Sequence, residues 1–547
     1  MRRALPTLRD LRGELSELHH RLGVTLQKEL LRTVPEGPEG IETYQAEYER
    51  SVDVDPKPAS WRRFLREAQD TQLLYLADYH TLPDAQLASI EVARRVLGRR
   101  RPLAIALEMV QARHQESLDR FLSGELTEAA FLRKIDYDRT WGFAWDTYRD
   151  VLRFARKHQI PAVAINSDLR RKDGHLRRRD RLAARIITRW SQEHPESCLL
   201  VLCGELHLAE NHLPADVSRN LQRLEIPRRQ LILYQNSEQV FWKVAERWPA
   251  GRTEIFSLGP RKFCLLSAPP IRKLHSQLHW HEAGHPGFGD DVDYAHWISW
   301  LAHVLAEFFD IDPSLLDEFV AYSADEPDLD ETLSAIHRIS KEQIRDMKAA
   351  CEIGASSYDA PSRLALLGRP DLNHLAWLAS AVLCHRLESG GRITARTPRL
   401  SFYRGVLQSA FAHLGTKLVN PFVRSWSVRF FERYLSRNRG QRLTVRGAQV
   451  REVGRSVLRH SEFEKKRLSG GTRALAPRSL YTAAPQLRIE TQRALGDNLG
   501  LRLYRALLMS AFDRFSLVER WREWAHGTAA NPESFYFELL SATQIVD

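Results

Sequence analysis

Leu199-Leu200-Val201-Leu202-Cys203-Gly204-Glu205-Leu206-His207 decides the fold. Five apolar residues run straight into a glycine, a carboxylate and a histidine. A short apolar run without polar alternation reads as a strand buried on both faces, the form found in parallel sheets. Four more runs have this form: Leu73-Leu74-Tyr75-Leu76-Ala77, Leu103-Ala104-Ile105-Ala106-Leu107, Ala162-Val163-Ala164-Ile165 and Leu231-Ile232-Leu233-Tyr234. Each ends on polar residues: Asp78-Tyr79-His80, Glu108, Asn166 and Gln235-Asn236. Helical stretches separate them, among them Pro83 to Leu97, Asp146 to His158 and Asp180 to Gln192. The βαβα order predicts an α/β fold with a doubly wound parallel sheet.

Ligands bind such sheets at the carboxyl ends of the strands. Asp78, His80, Glu108, Glu205 and His207 are therefore expected in one cleft, as the candidate catalytic set. The carboxylate-x-His spacing occurs twice, and a histidine so placed serves as metal ligand or general base. His80 and His207 are the candidate metal ligands. Glu108 puts a charge at a buried strand end, which costs free energy unless it is paired or used. Gly204 lets the backbone approach a ligand closely. Arg177-Arg178-Arg179-Asp180-Arg181 precedes a helix that Asp180 is placed to cap. Its arginines hold ligand carboxylates or phosphates, or form a solvated basic loop. Asn166, Arg179 and Asp180 are the expected ligand-binding residues.

A chain of 547 residues exceeds one core. Residues 1–60 read as a loosely packed N-terminal helical arm, 61–270 as the α/β domain and 271–547 as a helical C-terminal domain. The last region has no comparable β-runs; its helices are expected near 294–309, 341–352, 373–388, 402–416, 425–436, 445–467, 498–512 and 515–526. The net charge of +11 fits an anionic partner and names none. Trp426, Phe430, Phe431 and Tyr434 lie among arginines, but their helical spacing reads as core, so no strong nucleic-acid signal emerges. His281-Glu282-Ala283-Gly284-His285 matches the HExxH pattern, yet Gly284 and Pro286-Gly287 end the helix that the pattern needs. Five scattered cysteines read as reduced thiols. Neither a signal peptide, nor an early lipobox cysteine, nor an apolar membrane span is read, and a cytoplasmic protein is the expectation.

LADYHTLPDAQ (76–86), ALEMV (106–110), IPAVAIN (160–166), RRRDRLAARI (177–186) and LLVLCGELHLAENHLP (199–214), in this order, resemble the ChaN-like haem-uptake family. That family belongs to the superfamily of Tiki proteases and erythromycin esterases. On its pattern, Asp78 stands for a glutamate and His80 for the histidine after the first strand. Glu108 stands for the second-strand glutamate, Arg179-Asp180 for the helix opening, and Gly204 and His207 for the later motif. Ala77 and Asp78 depart from the family's glycine and glutamate. The resemblance implies binding of haem or a related small anionic ligand. It leaves open a hydrolase, with or without a divalent metal, and a cytosolic scaffold with a vestigial site. Family members use a tyrosine as iron ligand; Tyr79 and Tyr137 are the candidates here. The family's helical extensions carry phrases like Lys417-Leu418-Val419-Asn420-Pro421 and Leu499-Gly500-Leu501-Arg502-Leu503-Tyr504. A homodimer is the partner state left open. His80→Ala and His207→Ala are each expected to weaken binding while sparing stability.

Overall fold

The computed structural model describes residues 8–33, 41–97, 102–167, 175–245, 247, 254–284, 292–316, 318–326, 328–336, 339–389, 391, 393, 396–470, 476–511, 513–527 and 530–544. The chain forms two compact units, one of Leu22–Gly289 and one of Met1–Arg21 with Asp290–Asp547.

The first unit is built on an eight-stranded sheet. Its strands are β1 (Lys57–Pro58), β2 (Leu73–Asp78), β3 (Leu103–Gln111), β4 (Ala162–Asn166), β5 (Cys198–Gly204), β6 (Gln230–Gln235), β7 (Ile255–Gly259) and β8 (Lys262–Leu265). They lie in the order β1-β7-β8-β6-β2-β5-β3-β4. The five strands read from the apolar runs are all present and mutually parallel. β8 adds a sixth parallel strand, β7 pairs antiparallel to β8 and β1 antiparallel to β7, so the sheet is mixed. A two-residue strand and a tight hairpin at an edge carry no long apolar run, which is why periodicity misses them.

Helices Pro83–Val96, Trp145–Lys157 and His175–Glu193 make the crossovers. Pro83 stands at a first helical turn, where its missing N–H costs nothing. Leu74, Leu76, Ile105, Leu107, Leu200, Leu202, Leu231 and Leu233 fill the core with Phe64, Phe131 and Tyr148. Two details depart from expectation. β3 continues past Leu107 to Gln111, with an irregular register against β4 after Leu107. The helix after β4 is already under way at His175, so Asp180 lies inside it and is not its cap.

Residues 41–52 are a helix, not a loose arm: Tyr44, Tyr48 and Val52 are buried on the α/β unit. Among the described residues no helix is long and apolar enough to cross a membrane, and none of the five cysteines is in a disulfide.

The second unit is mostly helical. Leu372–Glu388, Pro398–Val419 and Pro485–Leu508 pack as its centre, with Tyr294–Phe308, Val428–Arg437, Val445–Leu468, Arg514–His526 and Pro532–Ala542 around them. It also holds a small sheet that the sequence reading did not contain: Val320–Ser323, Ser357–Asp359 and Leu364–Leu367. Runs of three or four residues are too short for periodicity to separate strand from helix.

Candidate functional site

The ladder between β2 and β5 ends at the pair Asp78 and Gly204. The ladder between β3 and β5 ends at Leu107 and Leu202, one residue before Glu108. Parallel packing therefore delivers Asp78, Glu108 and Gly204 to one edge, as the strand-end argument requires. A cleft of about 500 Å³ opens there, within the range of small-molecule sites. Asp78, His80, Glu108, Arg179, Glu205 and His207 all line it. Asn166 borders a smaller hollow that shares His80 and Arg179.

Asp78 is almost fully buried and its carboxylate is fully used. Oδ1 accepts from Gln86 at 2.5 Å, and Oδ2 accepts from the Tyr148 hydroxyl at 2.6 Å. Oδ2 also meets His80 Nδ1 at 2.9 Å. That contact fixes the imidazole with Nδ1 protonated and Nε2 as its lone-pair nitrogen, the arrangement seen in anchored histidine ligands and bases. Nε2 makes no hydrogen bond among the described residues, and the side chain is 22% exposed. Trp141 and Phe143 flank the ring, with centroids 4.5 and 4.8 Å away, and Phe143 stacks on Trp280. A Cβ at Gly204 would stand 3.2 Å from His80 Nε2 and 3.4 Å from Glu108 Oε2. Gly204 thus keeps a gap that any side chain would fill, and the two groups face each other across it.

Glu108 sits in a different environment. Oε2 accepts the Gly204 N–H at 2.6 Å, and Oε1 is paired with Arg179. Oε1 also lies 3.4 Å from His207 Nε2. Burial pushes this carboxyl up, but His207 and Arg179 outweigh it and hold it well below the usual range. His207 bonds Asp180 through Nδ1 at 2.5 Å, and Asp180 also accepts from Tyr44 at 2.6 Å. Burial alone would lower the His207 pKa; Asp180 and Glu108 raise it to about 9. His207 is held between two carboxylates, Asp180 at Nδ1 and Glu108 at Nε2. Among the described residues no three His, Cys, Asp or Glu side chains are grouped to hold a metal ion. Of the HExxH match, His281 lies on the helix Pro270–Gly284, and His285 lies outside the described residues.

Glu205 and His207 do not form a pair, although their spacing repeats that of Asp78 and His80. Residues Glu205–Leu208 are a 3-10 turn, and residues two apart on such a turn point to different sides. Glu205 turns to Lys273, at 2.9 Å, and to the Tyr48 hydroxyl, at 3.2 Å. Arg179 reaches both Glu108 and, through Nε at 3.1 Å, Asn166. Asp180 is buried behind His207 and is not at the cleft wall. Tyr79 lines the cleft with its hydroxyl held by Gln277 at 2.5 Å. Tyr137 is buried in the core and away from the lining.

Five partners were not found in the sequence: Gln86, Tyr148, Lys273, Tyr44 and Tyr48. Gln86 comes from the helix directly after β2, the other four from helices distant in the chain, and no local pattern announces their reach.

A sequence model of the family described as "Haem-binding uptake, Tiki superfamily, ChaN" matches residues 64–173. This span holds Asp78, His80, Glu108, Tyr148 and Asn166. Comparison with curated proteins gives no match. Among solved structures, "The structure of the type III effector HopBA1" is similar at 13% identity and a TM-score of 0.28, covering 40% of this chain and 97% of that one. Overlap that weak carries no argument. The family match and the parallel strands beneath it give the α/β unit a ChaN-like domain.

Proposed function

We propose that the cleft binds haem, or a flat anionic ligand like it, with His80 Nε2 as the donor to the iron. The observation that carries this reading is His80 itself. Asp78 and Tyr148 anchor it from behind, its Nε2 is open, and aromatic rings flank it. A carboxylate behind the ring makes a ligating imidazole more basic and holds its tautomer. Trp141, Phe143 and Trp280 supply an apolar wall suited to a porphyrin face. Arg179 and Lys273 are the cations at the cleft that would meet its carboxylates. Bound haem would supply an iron centre whose potential and exchange the protein tunes through this histidine. The family's description supports the same ligand. The test is a haemin titration followed in the Soret region. A saturable 1:1 band is expected, at least tenfold weaker in His80→Ala; equal affinity in the variant would remove His80 from the site.

A second reading rests on the gap over Gly204. An imidazole anchored by a carboxylate can take a proton from water, and ionised Glu108 faces the same point. A hydrolase of this kind would turn over an ester without haemin and lose that activity in His80→Ala.

A further inference from the structure

The helical unit contains a second constellation, beside the two phrases that the sequence singled out at 417–421 and 499–504. Helices Pro398–Val419 and Pro485–Leu508 approach closely because Gly496 and Gly500 face the first helix. A Cβ at Gly500 would stand 2.5 Å from the Ala410 carbonyl and 3.1 Å from His413 Cβ. The close approach brings Asp497, next to Gly496, to the ring of His413, with Oδ1 3.2 Å from Nδ1. Beyond the first helix the chain turns through Asn420 to Trp426. Lys417 holds this turn by donating to the carbonyls of Pro421, at 3.0 Å, and Val423, at 2.6 Å. Asn420 accepts from the Phe422 N–H at 3.0 Å, and the Trp426 N–H donates to Asp497 Oδ2 at 3.2 Å. The turn presents Ser425, whose Oγ lies 2.7 Å from His413 Nε2.

We propose that Ser425, His413 and Asp497 are a serine-hydrolase triad, acting on small esters that carry negative charge. The order of contacts is the one that nucleophilic catalysis needs. A carboxylate stands 3.2 Å from Nδ1 as the ring's ion-pair partner, and the opposite nitrogen is placed to accept the serine proton. Burial and the nearby Lys417 and Arg493 lower the His413 pKa, while Asp497 opposes them. The ring is therefore neutral and able to act as a base. His413 and Asp497 line a pocket of about 210 Å³, and Arg424 and Trp426, the neighbours of Ser425, stand in its wall. Of the arginines around it, Arg446 is paired with Glu490 at 2.7 Å and Arg493 donates to the Ser356 carbonyl at 2.9 Å, so Arg424, beside Ser425, is the cation placed to meet an anionic substrate.

In the reaction, Ser425 Oγ bonds to the ester carbonyl carbon as its proton passes to His413 Nε2. The imidazolium gives that proton to the departing alkoxide as the C–O bond breaks, leaving an acyl-serine and an alcohol. Water repeats the step and releases the acid. This constellation shares no residue with the cleft of the α/β unit, so each stands or falls alone.

The experiment is labelling of the full chain with a fluorophosphonate probe, read by intact mass and peptide mapping, beside hydrolysis of mono-p-nitrophenyl succinate and p-nitrophenyl acetate. One adduct at Ser425 is expected, absent in Ser425→Ala, with succinate ester cleaved at least fivefold faster than acetate. His413→Asn should slow labelling at least 100-fold. If that variant does not fold by circular dichroism, Asp497→Asn, which keeps the bond to Trp426, should slow it at least tenfold. No adduct at Ser425, or a labelling rate unchanged in the folded histidine or aspartate variant, overturns the triad. Faster cleavage of the acetate ester overturns the charge preference.

Discussion

The ends of β2 and β5 carry the same three-residue spacing, carboxylate-x-His, and the fold uses them in opposite ways. At the end of β2, Asp78 and His80 pair with each other and leave one nitrogen open to the cleft. At the end of β5, Glu205 and His207 part company. His207 joins Asp180 and Glu108 in a closed ionic network, and Glu205 is held by Lys273. The difference lies in local backbone form and in what stands behind each ring. A histidine backed by one carboxylate and faced by space is available to a ligand. A histidine between two carboxylates has both ring nitrogens turned to protein partners. The expectation that His80→Ala and His207→Ala behave alike therefore gives way to one in which they differ.

The largest effect that would break this comparison concerns stability. Removing one member of a buried ion pair leaves the other uncompensated, at a cost of about 3–5 kcal/mol. Glu108→Ala strands Arg179 and His207 and is expected to lose stability of that order in urea unfolding. His80→Ala, at a partly exposed ring, should lose under about 1 kcal/mol. Equal losses would erase the distinction between the two strand ends.

The pH dependence sharpens it. A histidine whose pKa rises from 6.5 to about 9 on folding contributes stability that is complete below pH 6.5 and fades as pH rises through 9. The advantage of the wild type over His207→Gln should shrink across that window, by on the order of 2–3 kcal/mol. A stability difference flat from pH 6 to pH 9.5 would show that His207 is not the cation of the network.

Substitutions at the gap have smaller effects, on ligand more than on fold. Gly204→Val places carbon against His80 Nε2 and Glu108, keeps the N–H bond to Glu108, and is expected to weaken haemin binding about tenfold, near 1.4 kcal/mol. Unchanged affinity would place the ligand elsewhere. Lys273→Met frees Glu205 and should change haemin affinity only a few-fold, about 0.5–1 kcal/mol, read in the same titration. An effect as large as that of His80→Ala would move the recognition to the Lys273 side of the cleft.

The sequence carried the parallel strands plainly, because a two-sided strand must be apolar throughout and its polar end is then conspicuous. Leu73–Ala77 and Leu199–Cys203 stand in the sheet's centre for that reason. It also carried the convergence of Asp78, Glu108 and Gly204. It did not carry their division of labour. Whether Glu108 faces a ligand or an arginine depends on a helix 71 residues further along. Nor did it carry the role of residues 41–52, since Tyr44 and Tyr48 look like any amphipathic helix until their hydroxyls meet Asp180 and Glu205. In the helical unit, Ser425, His413 and Asp497 are scattered over three segments, and only the packing of two helices through Gly496 and Gly500 joins them.

In the proposed haem site the open histidine, His80, meets the ligand, and the closed one, His207, does not. Haemin titration of the wild type and His80→Ala at matched folded fraction tests this assignment most directly. A saturable 1:1 Soret band is expected in the wild type, with at least a tenfold loss of affinity in His80→Ala. A band unchanged by that substitution, or no saturable band in the wild type, would contradict it.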